Sequence, residues 1–376
     1  MTLTSIKTTS SERIYMIDIL RGFALYGIIL AHIGSIYLYE LEITSNDLTG
    51  MDNKLKKLLE LFIERKFYLI FSLLFGLSFS IQLQNAINRN KPFVLKYCWR
   101  LSLLFFIGFI HNQLYPFDIL QIYAFIGVLL LPIRKIATPV LLAISISLFI
   151  FSCVFLQFDG HIKDSLSTLR IQKVSLSQTL THQIASGHFF MILSLFTFGL
   201  WAGKKNIFTL GRIDPAYFKS LFIFSLISLL ILKIAHNQFS IPSFSLPLVN
   251  ISFSFLYISI ISLSYIYLPH LKLLWQSLEV VGRMGLTNYI LQTIFFYILF
   301  LFKSILFNGG DLYLLFIYAN SFFFFQILFS IWWLKKHKQG PLEWIWRSAT
   351  DLYRVTNLYV KDKSLCDTPD QIKSPL

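Results

Sequence analysis

Residues 14–39 read IYMIDILRGFALYGIILAHIGSIYLY, and Asp18 and Arg21 are the charged residues among them. A helix needs about 20 predominantly apolar residues to cross the hydrocarbon core of a bilayer, so this stretch is long enough to span it. Apolar residues occur on all sides of the predicted helix, as in helices that face lipid or are fully buried. No small-residue cleavage site follows the run, so we interpret it as a first transmembrane span preceded by a cytoplasmic segment, residues 1–13.

Further apolar runs of similar length follow along the chain. All ten lie at about 14–39, 63–84, 98–116, 117–133, 138–157, 187–203, 217–236, 247–269, 284–308 and 312–334. Period-2 alternation is absent, and an open strand edge is not tolerated in lipid. The pattern predicts an all-α fold, a polytopic membrane helix bundle of about ten transmembrane helices over residues 14–334, followed by a cytoplasmic tail over 335–376.

Composition and charge agree with a membrane protein. The 376 residues are 55% hydrophobic and 14% charged, whereas soluble domains carry about 25% charged residues. The net charge of +14 comes mostly from Lys and Arg in the connections after the second, fourth, sixth and eighth runs and in the tail. This distribution follows the positive-inside rule and predicts both termini in the cytoplasm, so no nucleic-acid partner is needed to explain the charge. Three widely spaced cysteines, Cys98, Cys153 and Cys366, suggest neither a disulfide framework nor a metal site.

Two of the spans carry an Arg followed by a His at the same spacing. Arg21 and His32 are eleven residues apart, as are Arg100 and His111. Eleven residues turn a helix by roughly 1100°, so each pair shares one face and is separated by roughly 16 Å along the axis. Both spans run outward, which places the histidines toward the outer side, and Asp118 follows His111 after a tight turn. The topology also brings Glu64 and Arg65, at the start of the second span, to this depth.

A histidine beside a carboxylate is suited to general-base catalysis, because its ordinary pKa lies near the working pH and the carboxylate fixes its tautomer. Arginines on the cytoplasmic half suit phosphate groups. This pattern favours acyl transfer, with His32 as the base, Arg21 binding or orienting the donor, and His111 with Asp118 as a supporting pair. The structural alternative is that each histidine is a packed polar group of the bundle.

Other polar residues are candidates for substrate binding. They are Arg100, Glu64, Arg65, Tyr68, Asn288 and Gln292. Arg100 also fits an ordinary positive-inside residue, Glu64 and Arg65 fit a solvated helix start, and the i, i+4 pair Asn288 and Gln292 fits interhelical hydrogen bonds. Residues 340–347 read GPLEWIWR, which predicts an interfacial helix at about 342–355 on the cytoplasmic face.

Four segments carry a family resemblance. They are DILRGFALYGI at 18–28, FSLLFGL at 71–77, IGFIH at 107–111 with DILQIYA at 118–124, and GRMGLTNY at 282–289 with GPLEWIWR at 340–347. In order and spacing they resemble the YeiB-like bacterial membrane proteins of the domain of unknown function 418 group. That group is similar to a superfamily of transmembrane acyltransferases that includes acyltransferase-3 proteins and heparan glucosaminide acetyltransferases. In acyltransferase-3 proteins an Arg and a His separated by ten residues are associated with catalysis, and Arg21 and His32 match that spacing. Many YeiB-like proteins have Asn where this chain has His32.

The resemblance implies an integral acyltransferase of the bacterial cytoplasmic (inner) membrane. It would move an acyl group, acetyl in the first instance, from cytoplasmic acyl-CoA to a hydroxyl or amine on an extracytoplasmic glycan, lipid or small molecule, with no metal cofactor. Two alternatives remain open. A small-solute transporter or permease would line its path with the same polar residues, although the chain shows only a weak echo between its first and third spans rather than two related halves. The second alternative is a non-catalytic sensor or assembly protein. Whether the protein forms a homodimer also stays open.

Overall fold

The computed structural model describes residues 15–40, 50–115, 118–155, 183–184, 187–208, 214–239, 245–302 and 312–350. Helices are the only regular elements of these residues, which confirms the all-α prediction. The helices are α1 (Tyr15–Glu40), α2 (Gly50–Phe62), α3 (Phe67–Asn88), α4 (Val94–His111), α5 (Leu120–Val128), α6 (Leu130–Ile133), α7 (Thr138–Phe155), α8 (His188–Lys204), α9 (Pro215–Phe239), α10 (Ser245–Tyr267), α11 (Lys272–Arg283), α12 (Gly285–Leu301), α13 (Leu312–Lys336) and α14 (341–350).

Six apolar segments in the described part are long enough to cross a membrane. They are Tyr15–Ile33, Gly50–Asn88, Val94–His111, Pro215–Ala235, Leu246–Tyr267 and Leu312–Lys336. A seventh arises if α11 and α12, which meet at an 84° bend, form one broken span, and α7 and α8 are shorter apolar helices. The predicted run 117–133 is divided at Leu129 into the short helices α5 and α6. Ten spans thus remain a prediction, because apolar length does not reveal where a helix breaks.

Helix α1 forms the centre of the bundle. Its apolar segment is 72% buried, whereas that of α9 is 11% buried and lies at the periphery. α1 packs against α3, α10, α11, α12 and α13, which come from both halves of the chain. A side chain on α1 is therefore positioned to meet residues that are far apart in the sequence.

Glycines allow two pairs of helices to cross at close range. A Cβ atom on Gly22 of α1 would lie 1.9 Å from the carbonyl oxygen of Leu278, and one on Gly282 of α11 would lie 1.9 Å from that of Asp18. Gly76 of α3 and Gly199 of α8 form a second crossing of the same kind. Small residues let helix backbones approach in this way inside membranes. Gly22 of the DILRGF segment and Gly282 of the GRMGL segment therefore serve packing.

Helix α2 was not predicted, since it follows the first span in a charged connection. The Asp52 carboxylate accepts a hydrogen bond of 3.0 Å from the backbone N–H of Tyr313, in the first turn of α13. Leu59 of α2 is buried in the same core cluster as Ile33 and Tyr115. α2 thus packs its apolar face over the end of the bundle to which the C-terminal half of α1 extends.

Candidate active site

His111 and Asp118 form a buried pair at the end of α4. Nδ1 of His111 lies 2.9 Å from Oδ1 of Asp118, and the side chains are 2% and 0% exposed. A turn follows α4, in which the N–H groups of Leu114 and Tyr115 donate to the carbonyl of His111. An ionised carboxylate can only accept, so Nδ1 carries the proton, and in the neutral imidazole Nε2 then retains its lone pair. Nε2 has no hydrogen-bond partner among the described residues.

Tyr289 of α12 completes this arrangement from the other half of the chain. Its hydroxyl donates a hydrogen bond of 3.2 Å to Oδ1 of Asp118, the oxygen that also faces His111. Its ring centroid lies 5.2 Å from that of His111. Asp118 thus receives two hydrogen bonds at one oxygen, while Oδ2 has no partner in the described part of the chain.

His32 of α1 packs beside this pair among aromatic rings. Its ring centroid is 5.0 Å from Tyr115, 6.0 Å from Phe296 and 6.2 Å from Tyr289. His32 is 5% exposed, and its Nδ1 has no hydrogen-bond partner within the described residues. Tyr115 and Tyr289 also contact His111, at 6.3 and 5.2 Å between centroids. The structure therefore brings together His32, His111 and Asp118, and we call these three with Tyr289 the two-histidine site.

Arg21 lies elsewhere. One nitrogen of its guanidinium is 2.9 Å from the Asp18 carboxylate, and another donates to the Ser78 hydroxyl on α3. Three helical turns separate it from His32, roughly 16 Å along the axis. Arg21 thus joins α1 to α3, and its described contacts do not include the two-histidine site.

Arg100 contacts the C-terminal helix. Its guanidinium carbon lies 4.4 Å from the centre of the Trp346 ring, and Trp346 Nε1 donates to the Arg100 carbonyl at 3.0 Å. Trp99 Nε1 in turn donates to the carbonyl of Ala349. Trp344 and Ile345, on the same helix, are 59% and 50% exposed. This helix is attached along one side and exposes apolar side chains on the other. Its position at the cytoplasmic face stays a prediction, and residues 351–355 of the predicted helix lie outside the described residues.

The Glu64, Arg65 and Tyr68 group also makes its described contacts outside the site. Glu64 and Arg65 lie in the turn between α2 and α3, where Arg65 is exposed. The ring of Tyr68 faces His188, at 6.3 Å, and its carbonyl accepts from the Tyr123 hydroxyl at 2.8 Å. These residues join neighbouring helices and have no described contact with His32 or His111.

Asn288 and Gln292 belong to a buried hydrogen-bond network. The Asn288 amide donates to the Val281 carbonyl and to the Ser330 hydroxyl, both at 3.1 Å. Gln292 Nε2 donates to Oε1 of Gln326 on α13 at 3.1 Å and to the Leu25 carbonyl on α1 at 3.2 Å. These contacts match the interhelical alternative. Oε1 of Gln292 nevertheless has no hydrogen-bond partner among the described residues.

Glu343 has a role that sequence reasoning missed. Its Oε1 accepts from the backbone N–H groups of Leu286 and Thr287 at 2.7 and 3.0 Å, and its Oε2 accepts from the Thr287 hydroxyl at 2.6 Å. The first N–H groups of a helix have no partner within the helix. The Glu343 carboxylate is the hydrogen-bond acceptor for these N–H groups at the start of α12, directly after the bend that follows α11. The GPLEWIWR and GRMGLTNY segments are thus in contact, which their separation in the sequence did not indicate.

Three comparisons bear on identity. The family model described as "Protein of unknown function (DUF418)" matches residues 202–353. The chain is 31% identical over 373 residues to the uncharacterized 39.9 kDa protein in the amylase 3′ region of Bacillus acidopullulyticus. This alignment covers 90% of this chain and 94% of that protein. It is 29% identical over 394 residues to the uncharacterized protein YxaH of Bacillus subtilis (strain 168), covering 92% and 96%. It is 27% identical over 381 residues to the uncharacterized protein YeiB of Escherichia coli (strain K12), covering 90% and 96%.

No solved structure matches the chain. The relatives nevertheless align over at least 90% of its length, and the family model covers its C-terminal part. The chain therefore belongs to the DUF418 family of YeiB-like proteins.

Proposed function

We propose that the protein is an integral membrane acyltransferase. It moves an acyl group, in the first instance acetyl, from cytoplasmic acyl-CoA to a hydroxyl or amine on an extracytoplasmic glycan, lipid or small molecule. The observation that carries this proposal is the buried His111–Asp118 pair with an unbonded Nε2, which shares its aromatic neighbours Tyr115 and Tyr289 with His32 inside an apolar helical protein. A histidine with one nitrogen on a carboxylate and the other free is the arrangement that general-base catalysis requires.

The hydrogen bonds of the two rings favour His111 as the base, in place of His32. Asp118 holds the His111 tautomer with the lone pair on Nε2, and it stabilises the imidazolium once a proton arrives. The hydroxyl of Tyr289 fixes the carboxylate in turn. His32 has no carboxylate partner in the described part of the chain, and its Nδ1 is free to donate to an oxygen that becomes negative.

The reaction then balances as follows. Nε2 of His111 takes the proton of the acceptor hydroxyl or amine while the acceptor atom attacks the thioester carbonyl. Nδ1–H of His32 donates to the resulting oxyanion. When the tetrahedral intermediate collapses, the carbon–sulfur bond breaks and the CoA thiolate leaves, taking the proton from His111. The products are the acylated acceptor and free CoA, and both histidines return to their starting state.

The membrane arrangement is part of the proposal. We place the chain in the bacterial cytoplasmic (inner) membrane with ten spans and both termini in the cytoplasm. The shorter helices α5 to α8 and the bent pair α11–α12 contribute the spans beyond the six long segments. Lys and Arg in alternate connections support this orientation, and the similar proteins are bacterial. The donor then approaches from the cytoplasm and the acceptor from the opposite side.

The experiment uses purified protein in lipid nanodiscs with radiolabelled acetyl-CoA and an extract of bacterial envelope glycans and lipids. Label should appear on an acceptor with the wild-type protein, and His111→Ala should lower the rate by about 10²–10⁴-fold, the usual contribution of a general base. His270, which is exposed in the short turn between α10 and α11, is the matched control, because His270→Ala should leave the rate unchanged. Transfer at the wild-type rate by both His111→Ala and His32→Ala would refute the mechanism.

One observation favours a transporter as a second candidate. The 84° bend between α11 and α12 resembles the discontinuous helices at whose ends transporters bind substrates. Against it, the N-terminus of α12 at this bend is already occupied by the Glu343 carboxylate. Solute uptake into proteoliposomes that contain the protein and no acyl donor would support the transporter. Labelled product without such uptake would support the enzyme.

A further inference from the structure

Most of the unsatisfied buried polar atoms of the described chain lie in one region. The atoms in this region are His32 Nδ1, His111 Nε2, Asp118 Oδ2, Gln292 Oε1 and Thr293 Oγ1. The two unsatisfied atoms outside it are Ser262 Oγ and Arg283 Nε. Gln292 and Thr293 lie between Tyr289 and Phe296 at helical spacings of three and four residues, so these four residues share one face of α12. The rings of Tyr289 and Phe296 both contact His32. Because buried polar atoms are nearly always hydrogen-bonded, a concentration of unpartnered ones indicates that water or a polar ligand binds there.

Their existing partners determine what three of these atoms can do. In the neutral imidazole of His111, an Nδ1–H that donates to Asp118 leaves the lone pair on Nε2. Oδ2 of Asp118 is a carboxylate oxygen. Both amide hydrogens of Gln292 are used, on the Leu25 carbonyl and on Gln326, which leaves Oε1 as an acceptor. All three therefore accept hydrogen bonds, and a complementary ligand must present O–H or N–H donors.

The negative charge of Asp118 also favours a ligand that donates hydrogen bonds and is not an anion. Asp18, Lys66 and Asp118 are the charged residues among the buried polar residues of the described chain. Asp18 is paired with Arg21, and the Lys66 ammonium donates to the Glu60 carbonyl. Asp118 receives its hydrogen bonds from His111 and Tyr289, and no Lys or Arg of the described residues forms a salt bridge with it. A second anion beside it would be repelled strongly, since charges interact at long range in a medium of low dielectric constant.

We infer that the acceptor is an uncharged or cationic molecule that presents hydroxyl or amine donors to this site, and that anionic molecules are excluded. This inference rests on the proposed function, because it names the substrate class of the same site. The acceptor group donates to Nε2 of His111, the atom that takes its proton. A neighbouring hydroxyl or amine donates to Oδ2 of Asp118, and another group of the molecule donates to Oε1 of Gln292.

Gly108 packs closely against one of these acceptors and against the start of α5. A Cβ atom at this position would lie 3.0 Å from Oδ2 of Asp118 and 2.9 Å from the backbone nitrogen of Gln121. The methyl group of an alanine would therefore press on the oxygen that the ligand is to use. Gly285 provides a matched control, because a Cβ atom there meets nothing within 4 Å.

The test compares three pyranoses that differ mainly in charge: glucose, glucosamine and glucuronate. Binding to the purified protein in nanodiscs is measured by saturation-transfer difference NMR without any acyl donor. Glucose or glucosamine should bind at least about tenfold more tightly than glucuronate, equivalent to about 1.4 kcal/mol. Asp118→Asn should reduce this preference to less than about threefold, because it removes the buried charge.

Gly108→Ala should weaken binding of the favoured sugar, whereas Gly285→Ala should not. Glucuronate binding as tightly as the other two, or no binding by any of them, would overturn the inference. The outcomes separate it from the proposed function. The expected binding preference without transfer of label would support the inferred acceptor class and refute the acyl transfer. Transfer of label to glucuronate would support the acyl transfer and refute the acceptor class.

Discussion

Nδ1 of His111 lies 2.9 Å from Oδ1 of Asp118, and the aromatic residues that surround this pair, Tyr115 and Tyr289, also surround His32. One carboxylate oxygen thus orients the His111 imidazole, while both histidine rings contact the same two tyrosine rings and each has a nitrogen without a partner among the described residues. The arrangement joins α1, the end of α4 and α12 at one point in the bundle. Whether His111 can act as a base depends on which of its nitrogens carries the proton. Substitutions at Asp118 and Tyr289 can alter this without removing the imidazole.

Asp118→Asn should lower acyl transfer by about 10²–10⁴-fold, because the amide no longer imposes the tautomer with the lone pair on Nε2. The rate of label transfer from acetyl-CoA measures this effect. Since Asp118 is buried, thermal unfolding must be followed alongside. A variant that unfolds near the wild-type temperature and transfers label at the wild-type rate would show that Asp118 only packs the helices.

Tyr289→Phe should have a smaller effect, because it keeps the ring between the histidines and removes only the hydroxyl that donates to Asp118. A neutral hydrogen bond contributes about 0.5–1.5 kcal/mol and one to a charged group about 1.5–3 kcal/mol, so we expect kcat to fall by about tenfold. Tyr297→Phe, on a half-exposed side chain of the same helix, is the control and should leave kcat unchanged. Equal kcat values for the two variants would remove Tyr289 from the site.

The convergence of His32, His111 and Asp118 could be predicted because it depends on local rules. Helical periodicity places each histidine at a known depth, and the direction of a span follows from its position in the chain. Tyr289 and Glu343 could not be found this way, because helical periodicity does not indicate contacts between distant residues. Tyr289 is 171 residues from its partner Asp118, and Glu343 is 56 residues from its partner Thr287.

Arg21 shows the limit of spacing arguments. It shares a face of α1 with His32 as expected, yet its guanidinium is held by Asp18 and Ser78, one of them only three residues away. Asp18 was visible in the sequence as a local partner of opposite charge, and a role of Arg21 toward the acyl donor stays a prediction. The division of the predicted run 117–133 has a similar origin, because hydropathy does not register the turn at Leu129.

Gly282→Ala should strongly destabilise the protein. The new methyl group would meet the Asp18 carbonyl at 1.9 Å, and a backbone atom cannot rotate away, so α1 and α11 would have to separate. We expect little folded protein, or an unfolding temperature lowered by many degrees, in detergent-based thermal denaturation. Gly285→Ala, three residues further on, should change the free energy of unfolding by no more than about 1 kcal/mol. Equal stability of the two variants would contradict the close crossing.

Glu343→Gln should loosen the start of α12. The carboxylate accepts three hydrogen bonds there, and loss of its charge weakens bonds that are worth about 1.5–3 kcal/mol each when the acceptor is ionised. Hydrogen–deuterium exchange should therefore speed up at Leu286 and Thr287, whereas Glu60→Gln, on a half-exposed side chain, should leave these amides unchanged. Unaltered exchange in Glu343→Gln would show that another group satisfies the helix end.

Arg100→Ala separates two roles for this arginine. If Arg100 bound the donor phosphates, its loss would raise the KM for acyl-CoA. The structure instead stacks its guanidinium on Trp346, so we expect an unchanged KM and a more weakly attached α14. Limited proteolysis of residues 341–350 should accelerate in Arg100→Ala. Arg100→Lys should be intermediate, because an ammonium retains the charge but lacks the planar surface that stacks on the indole. A raised KM with unaltered proteolysis would instead place Arg100 at the donor.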